Sequence, residues 1–215
     1  MISLIHPSRG RPEKARRTFE RWWGDYMRGH QFDYTLSLDM DDPKLKEYEK
    51  EFEGIWPGPI IADNRSVVDA TNIAAQNSKG DILVYLSDDF NCPDKWVELI
   101  ESEFAKYSGP TLIKVDDCLQ KFHVPVLTIP IMNRELYKRL GYFWHPSYKS
   151  MFVDEDLYWT AKKLGALAMA PHLKFPHEHV SIGKAENDET YMRSAKNWDT
   201  GKHLFAHRKA MNFPL

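Results

Sequence analysis

Gly80-Asp81-Ile82-Leu83-Val84-Tyr85-Leu86-Ser87-Asp88-Asp89 decides the fold. It opens on a helix-ending glycine, runs through a short apolar segment and stops on two adjacent carboxylates. Ligands of open α/β sheets bind beyond the carboxyl ends of the strands. Asp88 and Asp89 are therefore placed to meet a hard cation and an anionic ligand such as a diphosphate. Asp is also common in solvated turns where strands end, so the pair alone supports both readings equally.

Immediately upstream, the pattern predicts a helix from about Val67 to Ser78, with Val67, Ala70 and Ala74 on one side and Asn72 within it. Asp63-Asn64-Arg65-Ser66 supplies its cap, and Gly80 suits the left-handed position after its end. Downstream, Pro93-Asp94 starts a helix whose apolar stripe is Trp96, Val97, Leu99, Ile100 and Phe104. At the N-terminus, Ile2 to His6 reads as a buried strand broken by Pro7-Ser8-Arg9-Gly10-Arg11-Pro12. A helix follows from about Glu13, with Ala15, Phe19, Trp22, Trp23, Tyr26 and Met27 at helical spacing. Strand, glycine-containing loop and helix make half of a βαβ unit. Arg9 and Arg11 sit where such a loop meets phosphate. Lys14, Arg16, Arg17 and Arg21 extend the basic run, which also reads as a solvated helix face.

Phe32 to Leu38 alternates like a strand and ends in Asp39-Met40-Asp41-Asp42. Asp39 there can accept hydrogen bonds from a ribose or a base N–H. Lys44 to Phe52 reads as a surface helix, Pro57-Gly58-Pro59 as a loop, and Ile60 to Ala62 as a minor strand. Further on, Thr111 to Val115 and Phe122 to Ile129 are predicted strands joined by a turn at Asp116-Asp117. Arg134 to Leu140 is a short helix ended by Gly141, and Tyr142 to Pro146 an aromatic loop suited to stacking a sugar ring or base, or to covering the sheet. Asp154-Glu155-Asp156 opens a helix ending at Gly165; three acids exceed what the helix dipole calls for. Ala166 to Ala170 is the last predicted strand. In Lys174 to Val180, His177 and His179 share a face of an extended chain, which suits metal ligation. The tail beyond Asp188 is polar, with Tyr191, Trp198 and Phe205, and reads as a lid or acceptor-binding extension over 181–215.

The 215 residues suit one domain with a substantial core. A formal charge of −2 gives no global attraction to nucleic acid, and 13% aromatic residues suit a core or a ring-binding cleft. Cys92 and Cys118 form no metal-spacing motif and no disulfide framework, as expected in a reducing cytoplasm. No apolar stretch spans a membrane, and Ile2-Ser3-Leu4-Ile5 lacks the features of a signal peptide.

Four blocks in this order resemble a glycosyltransferase of the GT-A fold, family-two type. They are Ile2 to Pro12; Asn72-Ile73-Ala74-Ala75 through Asp89, with Pro93 and Trp96; Met132-Asn133-Arg134-Glu135-Leu136 to Phe143; and Asp154-Glu155-Asp156-Leu157 to Gly165. The resemblance implies a Rossmann-like, mixed but mostly parallel sheet flanked by helices. It also implies a nucleotide-sugar donor, a UDP-sugar first, and Mn²⁺ or Mg²⁺. By that likeness Pro7, Ser8, Arg9, Arg11, Asn64 and Asn72 belong to the donor site, Asp39 meets the nucleobase, and Asp88 the ribose or metal. Asp89 and His177 would be metal ligands, with His179 the second choice. The catalytic base would be Asp154, counted back from Gly165, or Asp156, and the transfer would invert the anomeric centre.

Two departures stand out: Ser87 replaces the first acid of the DxD motif, and the acids of the base motif are shifted. The compact size and His177-Glu178-His179 are similar to phage-type members, some of which glycosylate hydroxymethylated pyrimidines in DNA in the host cytoplasm. The acceptor is thus a hydroxyl on modified DNA, a saccharide, a lipid-linked sugar or a protein. Competing readings are a nucleotidyltransferase acting on a sugar phosphate, a non-catalytic nucleotide-sugar-binding module and, more weakly, a His-centred metal hydrolase.

Overall fold

The computed structural model describes residues 1–25, 28–55, 58–179, 183 and 188–215. Tyr26, Met27, Pro57 and Val180, which figure in the readings above, lie outside them. Seven strands form one sheet: β1 (Ile2–Ser8), β2 (Phe32–Asp39), β3 (Ile60–Ala62), β4 (Ile82–Tyr85), β5 (Leu112–Asp116), β6 (Pro130–Asn133) and β7 (Leu167–Lys174), in the order β3-β2-β1-β4-β6-β5-β7. β6 runs antiparallel to both β4 and β5, and the other pairings are parallel. The expected α/β class with a mixed, mostly parallel sheet is what forms.

The period-two alternation of the strands feeds two cores. Ile82, Val84 and Leu86 face one cluster and Leu83 the other. The first core packs under α1 (Pro12–Trp23), α2 (Leu45–Glu51) and α4 (Trp96–Phe104). Its centre is aromatic: Trp22 meets Trp96 at 5.1 Å and stacks on Phe175 at 5.7 Å between ring centroids. The second core lies under α3 (Val67–Asn77), α5 (Arg134–Leu140) and α6 (Val153–Lys163). Two helices complete the chain, α7 (Glu189–Ala195) and α8 (Trp198–Ala210). No helix among the described residues is long and apolar enough to cross a membrane.

Two expectations need correction. Phe122 to Ile129 is not a strand: Pro125 withholds an N–H in mid-run, and the chain turns there, with Val124 N–H donating to the Lys121 carbonyl at 2.9 Å. The strand begins only at Pro130 and runs antiparallel. Gly80 does not adopt a left-handed conformation. It is needed because β1 passes close by: a Cβ there would lie 2.6 Å from Ser3 N and 2.7 Å from the Ile2 carbonyl carbon. Gly80→Ala should therefore destabilise the protein by about 1–3 kcal/mol, the usual range for overpacking. A denaturant midpoint equal to wild type would contradict this.

Candidate active site

The parallel strands β1, β2 and β4 all end on one edge, and their last residues build the site. Ser8 closes β1, Asp39 closes β2, and Asp88 and Asp89 follow β4. Asp88 is buried. Its Oδ1 receives His6 Nε2 at 2.9 Å and Ser8 Oγ at 2.8 Å, and Oδ2 lies 4.0 Å from Arg11. His6 is held in turn by the Tyr34 hydroxyl at 2.8 Å from Nδ1. Helix α1 fixes the backbone of this turn: Thr18 donates to the Asp88 carbonyl at 3.0 Å and Trp22 Nε1 to the Phe90 carbonyl at 3.2 Å.

The His177 segment pairs with this turn. Phe90 and His177 form an antiparallel bridge, and Glu178 N–H donates to the Asp89 carbonyl at 2.9 Å. His177 Nε2 consequently stands 3.2 Å from Asp89 Oδ2, a residue 88 positions earlier. Burial alone would raise the Asp89 pKa, but the hydrogen bonds from His177 and Tyr191 and the His177 charge bring it down to about 2. Asp89 Oδ1 and His177 Nδ1 are buried with no hydrogen-bond partner among the described residues. A carboxylate and an imidazole in contact, each with a further unused buried atom, are donor types that a divalent cation takes. Among the described residues no third His, Cys, Asp or Glu joins them. That suits a cation completing its shell with ligand phosphates and water, as Mg²⁺ usually does.

These groups open into one cleft of about 580 Å³, whose lining includes Asp39, Asp88, Asp89, His177 and Asp154. Pro7, Ser8, Arg9, Arg11 and His179 also line it. Asp39 is raised by burial, against the lowering effect of Arg9, whose Nη1 donates to its Oδ2 at 2.8 Å. Asp154, in the first turn of α6, is likewise raised by burial, opposed by nearby backbone N–H groups and by Lys114. Tyr85, Trp144 and Phe152 add an aromatic wall to the cleft.

Three candidates point elsewhere. Asp156 is 1% exposed, and its carboxylate accepts from Arg208 Nε at 2.6 Å and the Tyr148 hydroxyl at 3.0 Å, away from the cleft. Asn72 braces the aromatic loop: its Oδ1 accepts from the N–H groups of Phe143 and Trp144, both at 2.9 Å. Asn64 donates to the Leu38 carbonyl at 3.1 Å, beneath Asp39 rather than in the cleft.

Much of the basic run from Arg9 to Arg17 is engaged in ion pairs. Arg9 pairs with Asp39 and Asp41, Arg11 with Asp188, Arg16 with Glu20 and Arg17 with Glu13. Sequence reasoning missed His6, Lys114, Asp188, Arg193 and Arg208. Only His6 carried a local signal, its place at the carboxyl half of the first strand beside Pro7.

No protein-family model and no curated protein matches this sequence. Solved structures do match. A mannosyltransferase from Pyrobaculum calidifontis, in complex with GDP-Man and Mn²⁺, superposes with a TM-score of 0.63 at 13% identity, covering 82% of this chain and 56% of that one. Residues 1–349 of S. aureus TarS give 0.62 at 9% identity, covering 82% and 60%. The same TarS fragment with UDP-GlcNAc gives 0.60 at 10%, covering 89% and 63%. This chain thus spans less than two thirds of those proteins' lengths. With its strand order and the acid-ended β4 at the mouth of the cleft, the chain has the fold of the GT-A glycosyltransferases.

Proposed function

We propose that this protein, as one domain over residues 1–215, is a metal-dependent, inverting glycosyltransferase. It moves a sugar from a nucleoside-diphosphate sugar, a UDP-sugar first, to an acceptor hydroxyl. The observation that carries this reading is one cleft lined both by Asp39, Asp88, Asp89 and His177 and by a burial-raised carboxylate, Asp154.

Asp39 receives base N–H groups, and Asp88, locked by His6 and Ser8, receives the ribose. Asp89 and His177 would hold Mn²⁺ or Mg²⁺. When bound, such a cation neutralises charge developing on the departing diphosphate. Asp154 does the work on the acceptor side. It accepts the acceptor's hydroxyl proton as that oxygen attacks the anomeric carbon from the face opposite the diphosphate, which inverts the centre. Its burial raises its basicity toward that task. The aromatic wall suits an acceptor carried on a flat ring, a saccharide or a hydroxymethylated DNA base.

A nucleotidyltransferase would also use a cleft with acids and Mg²⁺, but would bind a nucleoside triphosphate. Thermal stability against UDP-, GDP-, CMP- and dTDP-sugars, with and without Mn²⁺, separates the two. One nucleotide sugar should raise the midpoint with Mn²⁺, by about 2.7 kcal/mol of added stability at a hundredfold excess over Kd. Asp89→Ala should abolish the Mn²⁺-dependent part. Stabilisation by a triphosphate with Mg²⁺ and by no nucleotide sugar would overturn the reading.

A further inference from the structure

Helix α7 lies on the groups assigned above to the donor. Asp188, its N-cap, places both carboxylate oxygens on Arg11, 2.7 Å from Nε and 2.6 Å from Nη2, with Lys14 Nζ at 3.6 Å. Under these contacts the Arg11 side chain is only 7% exposed, and it lines the cleft. The Arg11 guanidinium stacks on the Tyr191 ring at 4.5 Å, and the Tyr191 hydroxyl donates to Asp89. Arg193 Nη1 stands 3.7 Å from Asp39.

Each partner has the chemistry of a part of the nucleotide. A carboxylate on Arg11 and Lys14 stands in for a phosphate. A guanidinium beside Asp39 stands in for a base edge that donates N–H groups. A hydroxyl donating to Asp89 Oδ2 engages the carboxylate that a cation would bind. Resting on the donor reading above, we propose that residues 188–193, some of which line the cleft beside Arg11, hold its guanidinium as an internal stand-in for ligand, and that a nucleoside diphosphate must displace Asp188 to pair with Arg11.

The attachment is suited to release. No residue of α7 is buried, so polar contacts rather than a core hold it down. Segments held this way open at low free-energy cost. Helix α8, by contrast, is pinned through Arg208 and through Gly201, where a Cβ would run into the Met151 carbonyl. The tail therefore has a fixed anchor and a detachable part. While Asp188 holds Arg11, only the detached fraction binds donor, and the apparent Kd rises by the reciprocal of that fraction.

Asp188→Asn tests this on the full chain, because Asn caps a helix as well as Asp but carries no charge for Arg11. UDP, GDP and inorganic pyrophosphate are titrated calorimetrically with and without Mn²⁺, and amide hydrogen exchange is followed at 188–195. The variant should bind a nucleoside diphosphate about tenfold more tightly than wild type, and its α7 amides should exchange faster without ligand. In wild type, adding the diphosphate should accelerate exchange there.

Unchanged or weaker binding by the variant would overturn the proposal. So would slower exchange at 188–195 on adding the diphosphate, since α7 would then close over the donor rather than give way to it. If pyrophosphate binds and accelerates α7 exchange while neither nucleotide binds, the occupant stands and the nucleotide reading falls. If no probe binds either protein, the occupant falls as well.

Discussion

Asp154→Asn is expected to lower kcat by about 10²–10⁴-fold, the usual contribution of a positioned general base, while leaving donor binding close to wild type. Asparagine keeps the shape and the helix-terminal hydrogen bonds but accepts no proton. The pH profile gives an independent reading. The base must be ionised, and burial raises the Asp154 pKa, so the rate should climb with pH through a limb lying above the ordinary carboxylate value of about 4. Lys114 lowers that pKa from its buried place on β5. Lys114→Met should therefore move the same limb to higher pH. A limb that stays put in Lys114→Met, or full activity in Asp154→Asn, would remove Asp154 from the proton transfer.

Arg208→Ala should cost about 3–5 kcal/mol of stability, because it leaves a buried carboxylate without its counter-charge. Arg208 and Asp156 have side chains only 5% and 1% exposed, and their contact ties α8 to the helix that carries Asp154. For a chain of this size the loss corresponds to a fall in Tm on the order of 10 °C. Replacing both members, as Arg208→Met with Asp156→Leu, should recover much of it, since a buried ion pair and a packed apolar pair differ little in net stability. Asp156→Asn adds a separate check on the base. It should lower Tm while kcat at a permissive temperature stays far above that of Asp154→Asn. A collapse of kcat equal to that of Asp154→Asn would return Asp156 to the chemistry.

The local order of the chain was legible in the sequence wherever short-range sterics and periodicity set it. The run Ile82 to Leu86 needed no tertiary information to read as a buried strand, formed as Ile82–Tyr85, nor did Val67 to Ser78 to read as a capped helix, formed as Val67–Asn77; Ser66 Oγ accepts from Asp69 N–H at 3.1 Å, as the capping residues implied. The acids at the ends of β2 and β4 were likewise visible, because their place depends only on where each strand stops. The antiparallel insertion of β6 was not visible: partner and direction are set by pairing across the sheet, and Pro125 moved the strand beyond the apolar run that predicted it. Nor could the sequence choose between Asp154 and Asp156. Two positions apart on a helix are turned by about 200°, so one faces the cleft and the other Arg208, and only the packing of α6 against α8 decides which. His177 meets Asp89 through a backbone bridge, and Asp188 meets Arg11 across 177 positions. The sequence by itself determined which strands, helices and acid-ended turns this protein has. The tertiary structure alone decided which carboxylate faces the cleft and what lies upon Arg11, because those depend on contacts between segments that no local pattern encodes.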